Sequence, residues 1–213
     1  MKFILFFSAF FLTNLLFGQT YIPFEGEFIY SVEVINPETK KANLVGYTSV
    51  FTNDTLVRID SESPSLGKQT LLKNLLVSKQ YVLLTYNGKK YAIQQHLTKD
   101  TSKTKYTFKS CFGSKKFGGI RAKKILVSHP NFKTPMVFYF AKNLNPGYLG
   151  IIKGIAGLPV QYYIQTEDGL LCYTLREYKQ KEIPAGFFQV SKEFEKISFN
   201  DFMDRIVSKS STN

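Results

Sequence analysis

Histidine and cysteine are scarce in this 213-residue chain, two of each, and tryptophan is absent. That scarcity removes most metal and nucleophile chemistry. His96 and His129 each lack a second ligand at metal spacing, and there is no HExxH, no CxxC and no Cys-His cluster of the kind zinc requires. No G-x-S-x-G elbow marks a serine nucleophile. No catalytic residue, cofactor or metal ligand can be assigned, and the chain reads as a non-enzyme. A hydrolase with a dispersed triad is the weakest of three functional classes.

Long apolar runs are missing beyond residue 18. The one such run, FILFFSAFFLTNLLFG at 3–18, follows Met1-Lys2 and precedes Gln19. It is short for a bilayer span of about 20 apolar residues. One early lysine, a short hydrophobic stretch and a small residue at its end make a secretory signal peptide over 1–18. The expectation is an exported chain from Gln19 to Asn213, with no transmembrane anchor after cleavage. No cysteine stands near the cleavage point to carry a lipid. The remaining length suits one β-rich domain with its own core, ending in a flexible tail from about 208. Twenty Phe and 13 Tyr supply apolar area for that core.

Negative charge is nearly missing from one stretch. Between Lys99 and Lys124 stand Lys99, Lys103, Lys105, Lys109, Lys115, Lys116, Arg121, Lys123 and Lys124, against Asp100 alone, in a chain of net charge +12. Such a patch attracts nucleic acid, anionic lipid or acidic protein. Export argues against nucleic acid. An ordinary solvated strand face is the plainer alternative.

What is present is mainly strand. EFIYSVEV (27–34) is apolar and β-branched, and NPETKK ends it. GYTSVFTNDTLVRID (46–60) reads as a hairpin turning at Asn53-Asp54, and YVLLTYNGKKYAIQQ (81–95) as one turning at Asn87-Gly88. Asn53-Asp54-Thr55 also fits a glycosylation acceptor. KTKYTFKS (103–110) alternates basic and partly aromatic positions. GSKKFGG (113–119) lacks the phosphate-loop pattern and reads as a hairpin connection, with a glycine turn at Gly118-Gly119, able to hold an anion weakly. IRAKKILVSH and PMVFYFA continue as strands, the second apolar on both faces. PVQYYIQ and LLCYTLREY form a hairpin around Glu167-Asp168-Gly169. At the end, Ser198 and Asp201 resemble a capping box, and Phe199, Phe202, Met203 and Ile206 fall on one face of an amphipathic helix. That helix is expected to pack on the sheet, with a partner groove as the alternative. Cys111 and Cys172 both lie in strand-like segments; one disulfide and two buried free thiols are equally open readings.

The C-terminal half carries a resemblance. GGIRAKKILV, VFYFAKNL and GIAGLPVQYYIQTEDGLLCYTLREYKQKEIPAGFFQVSKEFEKIS resemble the GLPGLI-type family of exported envelope proteins, a resemblance that covers roughly Gly118 to Ile206 and, more loosely, the hairpins before it. Gly119 with Ala122-Lys123-Lys124 matches the family's glycine-led strand. Gly157-Leu158-Pro159 supplies its turn, and Ile183-Pro184 with Phe188 and Val190 its last segment. Phe138-Tyr139 stands where Trp-Tyr is usual, Ser191 replaces a second proline, and GLPV stops short of GLPGLI. The resemblance implies a mainly β fold with few helices: a curved, incompletely closed antiparallel β-barrel of the lipoprotein-carrier type (LolA/LolB-like) with the C-terminal amphipathic helix. It implies residence in the periplasm or at the surface of a Gram-negative-type envelope. The family has no agreed activity.

Gly157 and Pro159 suit a tight corner leading into an edge strand, since glycine permits positive φ and proline has no amide proton to leave unpaired. YLGIIKGIAG before it, in a stretch with glycines at 147, 150, 154 and 157, reads as a mobile flap over the concave face. The leading functional expectation is a binding protein sheltering a lipid or other hydrophobic ligand in the curved sheet, with the basic patch meeting an anionic head group. The alternative is an interaction or structural subunit of an envelope or secretion complex, with a protein partner and no small ligand.

Overall fold

A computed structural model describes residues 21–36, 38–63, 67–77, 79–96, 106–166 and 169–210. Among the described residues twelve strands, β1 (Glu25–Ile35), β2 (Ala42–Asn53), β3 (Leu56–Ser63), β4 (Gly67–Asn74), β5 (Lys79–Tyr86), β6 (Lys89–His96), β7 (Thr107–Phe117), β8 (Ile120–Ser128), β9 (Met136–Ala141), β10 (Leu158–Thr166), β11 (Gly169–Gln180) and β12 (Glu195–Ser198), precede one α-helix, α1 (Phe199–Ser210). All strands join one sheet in the order β12-β6-β5-β4-β3-β2-β1-β11-β10-β9-β8-β7, which does not close. The mainly β, incompletely closed architecture with a C-terminal helix is therefore the expected one. One pairing departs from it, because β12 runs parallel to β6. The chain reaches β12 by a long crossing rather than a hairpin, and only such a connection permits parallel neighbours.

Local chemistry sets the hairpins. Asn87 and Gly88 both take positive φ, 50° and 73°, as a two-residue turn of the type that matches strand twist requires. Asp54 has φ 74°, and Asn53 Oδ1 accepts from the Leu56 amide at 2.9 Å, closing the β2–β3 turn. Residues 167 and 168 of the expected Glu167-Asp168-Gly169 turn lie outside the described residues, as do 1–18. GSKKFGG is not a loop: Gly113–Phe117 belong to β7 and only Gly118-Gly119 turn. Pairing across to Ser114–Phe117 from β8 satisfies these backbone groups as a strand.

Alternation assigns the two faces. Phe28 and Tyr30 of β1, Val50 of β2 and Val57 of β3 are buried on one face with Phe138 of β9 and Leu158, Val160 and Tyr162 of β10. Onto them folds the segment between β9 and β10, which inserts Tyr148, Leu149, Ile152 and Ile155 into the same core. The expected flap is thus a plug. On that face but farther along, α1 covers Leu84, Tyr91 and Ile93 with Phe202 and Ile206, joined by Ile197 of β12. The opposite face is crossed by 181–194, whose Val190 and Phe194 cover Leu72, Leu83 and Ala92. Phe187 of the same crossing stacks edge-on to Phe51 and lies under Arg58.

The helix begins as expected, with Ser198 Oγ accepting from the Asp201 amide at 3.1 Å. Its apolar face divides, however. Phe202 packs, while Phe199 and Met203 remain exposed. Because α1 lies at the rim of the sheet, only part of a 100°-wide stripe finds a surface. The helix also runs to Ser210, so the tail expected from about 208 is helical that far.

Candidate functional site: a groove on the concave face

Between the plug and α1 the concave face is incompletely filled. A groove of about 300 Å³ remains, its apolar walls formed by Ile59, Leu71, Val82, Leu149, Tyr162 and Ile164. Polar side chains border it too: Gln80 on β5 and Gln95 on β6 stand opposite each other, with Gln80 Nε2 donating to Gln95 Oε1 at 2.8 Å, and Gln69 on β4 lines it farther along, opposite Leu84. Residues of β6 and β10 both line this one groove although seven strand spacings separate them, about 34 Å in a flat sheet. The sheet must therefore curl around the groove, which is how an open sheet makes a concave site. A larger depression of about 600 Å³ beside α1 is lined mostly by charged and polar groups, among them Lys196, Asp201, Asp204 and Arg205.

One wall of the groove is anchored by a buried lysine. Lys73 of β4 points from the concave face into the plug, where Nζ donates to the carbonyls of Gly147, Tyr148 and Leu149 at 2.9, 2.8 and 2.9 Å. These carbonyls end the short 3₁₀ helix Pro146–Tyr148, whose Asn145 side chain caps the other end by accepting from the Gly147 amide at 2.8 Å. Three acceptors match the three protons of an ammonium group. Burial pushes Lys73 down from its ordinary value to about 8, so it remains charged at neutral pH. The plug has a second tie, since the Tyr148 phenol donates to the Asp54 carboxylate in the β2–β3 turn. Burial, aided by that carboxylate, raises the phenol.

Gly157-Leu158-Pro159 is the corner it was expected to be, but β10 is not an edge strand. It lies between β9 and β11, and its pairing with β11 begins only at Gln161. Pro159 therefore sits where one side of β10 has no ladder, and its missing amide costs nothing there. Its carbonyl accepts from the buried Tyr30 phenol at 2.9 Å, tying the corner to β1. Gly157 has φ 151°, and a Cβ there would come within 2.3 Å of the Ala141 carbonyl oxygen.

The basic residues are brought together elsewhere. Lys109, Lys115, Lys116, Arg121 and Lys123 are exposed on the β7–β8 hairpin, with Lys124 half-buried beside them. Lys103 and Lys105 lie outside the described residues. None of the six borders the groove. Cys111 and Cys172 are free thiols, so of the two readings left open the disulfide is the one not formed. Cys172 is buried in β11 beside Thr174 Oγ1 at 3.6 Å, and Cys111 is half-exposed in β7. Burial raises the Cys172 thiol, leaving it unreactive. His129 stacks on Tyr106, and its Nδ1 accepts from the Asn131 amide at 3.2 Å. Among the described residues no three metal-ligating side chains cluster.

Sequence reasoning did not find Lys73 or the glutamines that line the groove. Period two in GKQTLLKN does put Gln69, Leu71 and Lys73 on one face, but a lysine at a strand end ordinarily faces water. Its acceptors are more than 70 residues away.

No protein-family model and no curated protein matches this chain. Among solved structures, a chain of PNGF-II superposes with a TM-score of 0.53 at 13% identity, over 84% of this chain and 33% of that one. The chain thus spans about a third of that neighbour's length. A likeness at this identity is one of fold, and the fold is a large, curved, open β-sheet with a helix near its C-terminus.

Proposed function

We propose that this chain is an exported, non-enzymatic binding protein of the cell envelope that shelters a small hydrophobic or amphipathic ligand in the concave groove. The observation that carries this reading is the groove itself: apolar walls, a hydrogen-bonded pair of glutamines at its border and a curled sheet behind them. Ligand sites are commonly largely apolar concavities with a few placed polar groups, in the range of about 300 to 1,000 Å³. At about 300 Å³ the space suits a short apolar moiety or the end of a longer chain. A whole acyl chain would need Leu149 and Ile151 to move aside. We extend the reading to membership of the GLPGLI-type family, on the Gly157-Leu158-Pro159 corner and the strands around it.

Native mass spectrometry of protein recovered from the producing cell's envelope, followed by organic extraction, tests the reading. A discrete adduct near one per chain is expected, lost in Val82→Phe, which fills the groove. A bare protein mass with nothing extractable would reject the ligand.

A second reading has its own observation. β2 pairs with β3 only from Ser49 to Thr52, leaving its first half without a neighbour on that side among the described residues, and Leu44, Val45 and Tyr47 are exposed there. An open strand edge bearing apolar side chains is a template for strand addition by a protein partner. Stoichiometric co-purification that Val45→Lys abolishes would favour the interaction subunit.

A further inference from the structure

The charge of this protein is divided by its fold. No acidic residue lies between Asp100 and Glu167, whereas eleven lysines and arginines do, nine of them within 107–166, the span of β7 to β10, in a chain of net charge +12. At the edge of this half, where β7 has no further strand beside it among the described residues, the β7–β8 ladder breaks. Ser110 pairs with Ile125 and Ser114 with Lys123, so Cys111, Phe112 and Gly113 face Lys124 alone. Two surplus residues bow the strand outward, and Gly113 takes φ 120° to permit it. Phe112 stands at the crest, fully exposed at 103%. It borders an open cleft of about 1,070 Å³ together with Arg121, Lys123, Lys124 and Lys142, with Ile125, Phe140 and Leu144 on its floor.

Lysines alone would be explained as protection of an edge strand against aggregation. A phenylalanine held wholly in water at the centre of them would not, because it adds the very hazard that edge lysines exist to suppress. An aromatic wedge ringed by cations is instead the composition of a surface that enters the interface of an anionic bilayer: the ring inserts at headgroup depth and the cations meet lipid phosphates. The bulge leaves Phe112 uncovered by any neighbour, as insertion demands.

We propose that the β7–β8 edge is a docking surface for anionic lipid membranes, with Phe112 as the inserted anchor and Arg121, Lys123 and Lys124 as its headgroup contacts. This site is distinct from the groove and does not depend on a ligand there. Because the chain has no tryptophan, Phe112→Trp places a lone reporter at the crest. Its emission is expected to shift to the blue, and to be quenched by brominated lipid, on adding vesicles rich in phosphatidylglycerol. Vesicles of phosphatidylcholine alone should leave it unchanged, and inorganic phosphate without vesicles should too.

Sedimentation with the phosphatidylglycerol vesicles supplies the second readout. Phe112→Ser should weaken binding about 10-fold, from the apolar surface no longer buried. Arg121→Gln with Lys123→Gln should weaken it about 30-fold, at roughly 5-fold per cation. All these side chains are exposed, and circular dichroism checks that the variants fold. Indole emission from the Phe112→Trp variant that stays at its aqueous wavelength, or Phe112→Ser binding as tightly as the parent, would overturn the proposal.

Discussion

Replacing Lys73 by methionine removes the clasp between β4 and the plug while keeping a side chain of similar length. Two of the three carbonyl bonds it breaks, those to Tyr148 and Leu149, are buried. Each orphaned carbonyl costs about 1–3 kcal/mol. Against this, methionine relieves the desolvation of a charge, so the net loss at neutral pH is smaller, about 1–3 kcal/mol. The pH dependence is the sharper test. In the unfolded chain the lysine titrates near 10.5 and in the folded one near 8. Between those values the unfolded state binds more protons, so folding stability rises with pH and this increment fades as pH falls through 8. From pH 7.5 to 9.5 the parent should therefore gain about 2 kcal/mol over Lys73→Met. Buried phenols such as Tyr30 and Tyr162, which burial raises where it lowers Lys73, oppose stability above pH 10 in both proteins and largely cancel in the difference. Urea unfolding followed by far-ultraviolet circular dichroism at the two pH values, under reducing conditions, measures that difference. A gap that stays constant would mean Lys73 titrates as it does in water and that its site is not closed; a gap that narrows would reverse the argument.

Two further outcomes follow from the corner and the thiols. Gly157→Ala must relieve a 2.3 Å approach to the Ala141 carbonyl and adopt φ 151°, which should cost about 2–4 kcal/mol in urea titration; a loss below about 0.5 kcal/mol would show that the β9–β10 corner is not held as described. With a thiol reagent, Cys111 should react in the folded protein and Cys172 only on unfolding. Absence of any reactive thiol until a reductant is added would instead indicate a bridge.

Much of the strand pattern can be read residue by residue because the forces that set it are local. Asn87-Gly88 and Asn53-Asp54 announce turns through backbone conformations that few residues tolerate, and Gly157-Leu158-Pro159 announces a corner for the same reason. The Ser198–Asp201 cap is legible too, being a contact three residues long. GSKKFGG misleads because glycine and lysine content suggests a loop, while the partner that makes it a strand lies across the hairpin. Phe199 and Met203 mislead differently: helical periodicity shows which residues share a face but not how much of that face a neighbouring sheet will cover.

By itself the amino-acid sequence determined the mainly β character, the positions of the tight turns, the terminal helix and the crowding of positive charge into one stretch, all consequences of backbone preference and side-chain order along the chain. Tertiary structure alone decided that β6 and β10 share a groove, that Lys73 holds the plug, that β12 runs parallel to β6, and that Phe112 crests a bulge among cations. Each of these depends on groups far apart in the chain, brought together by how far the sheet curls and where its ladder slips, which no local pattern encodes.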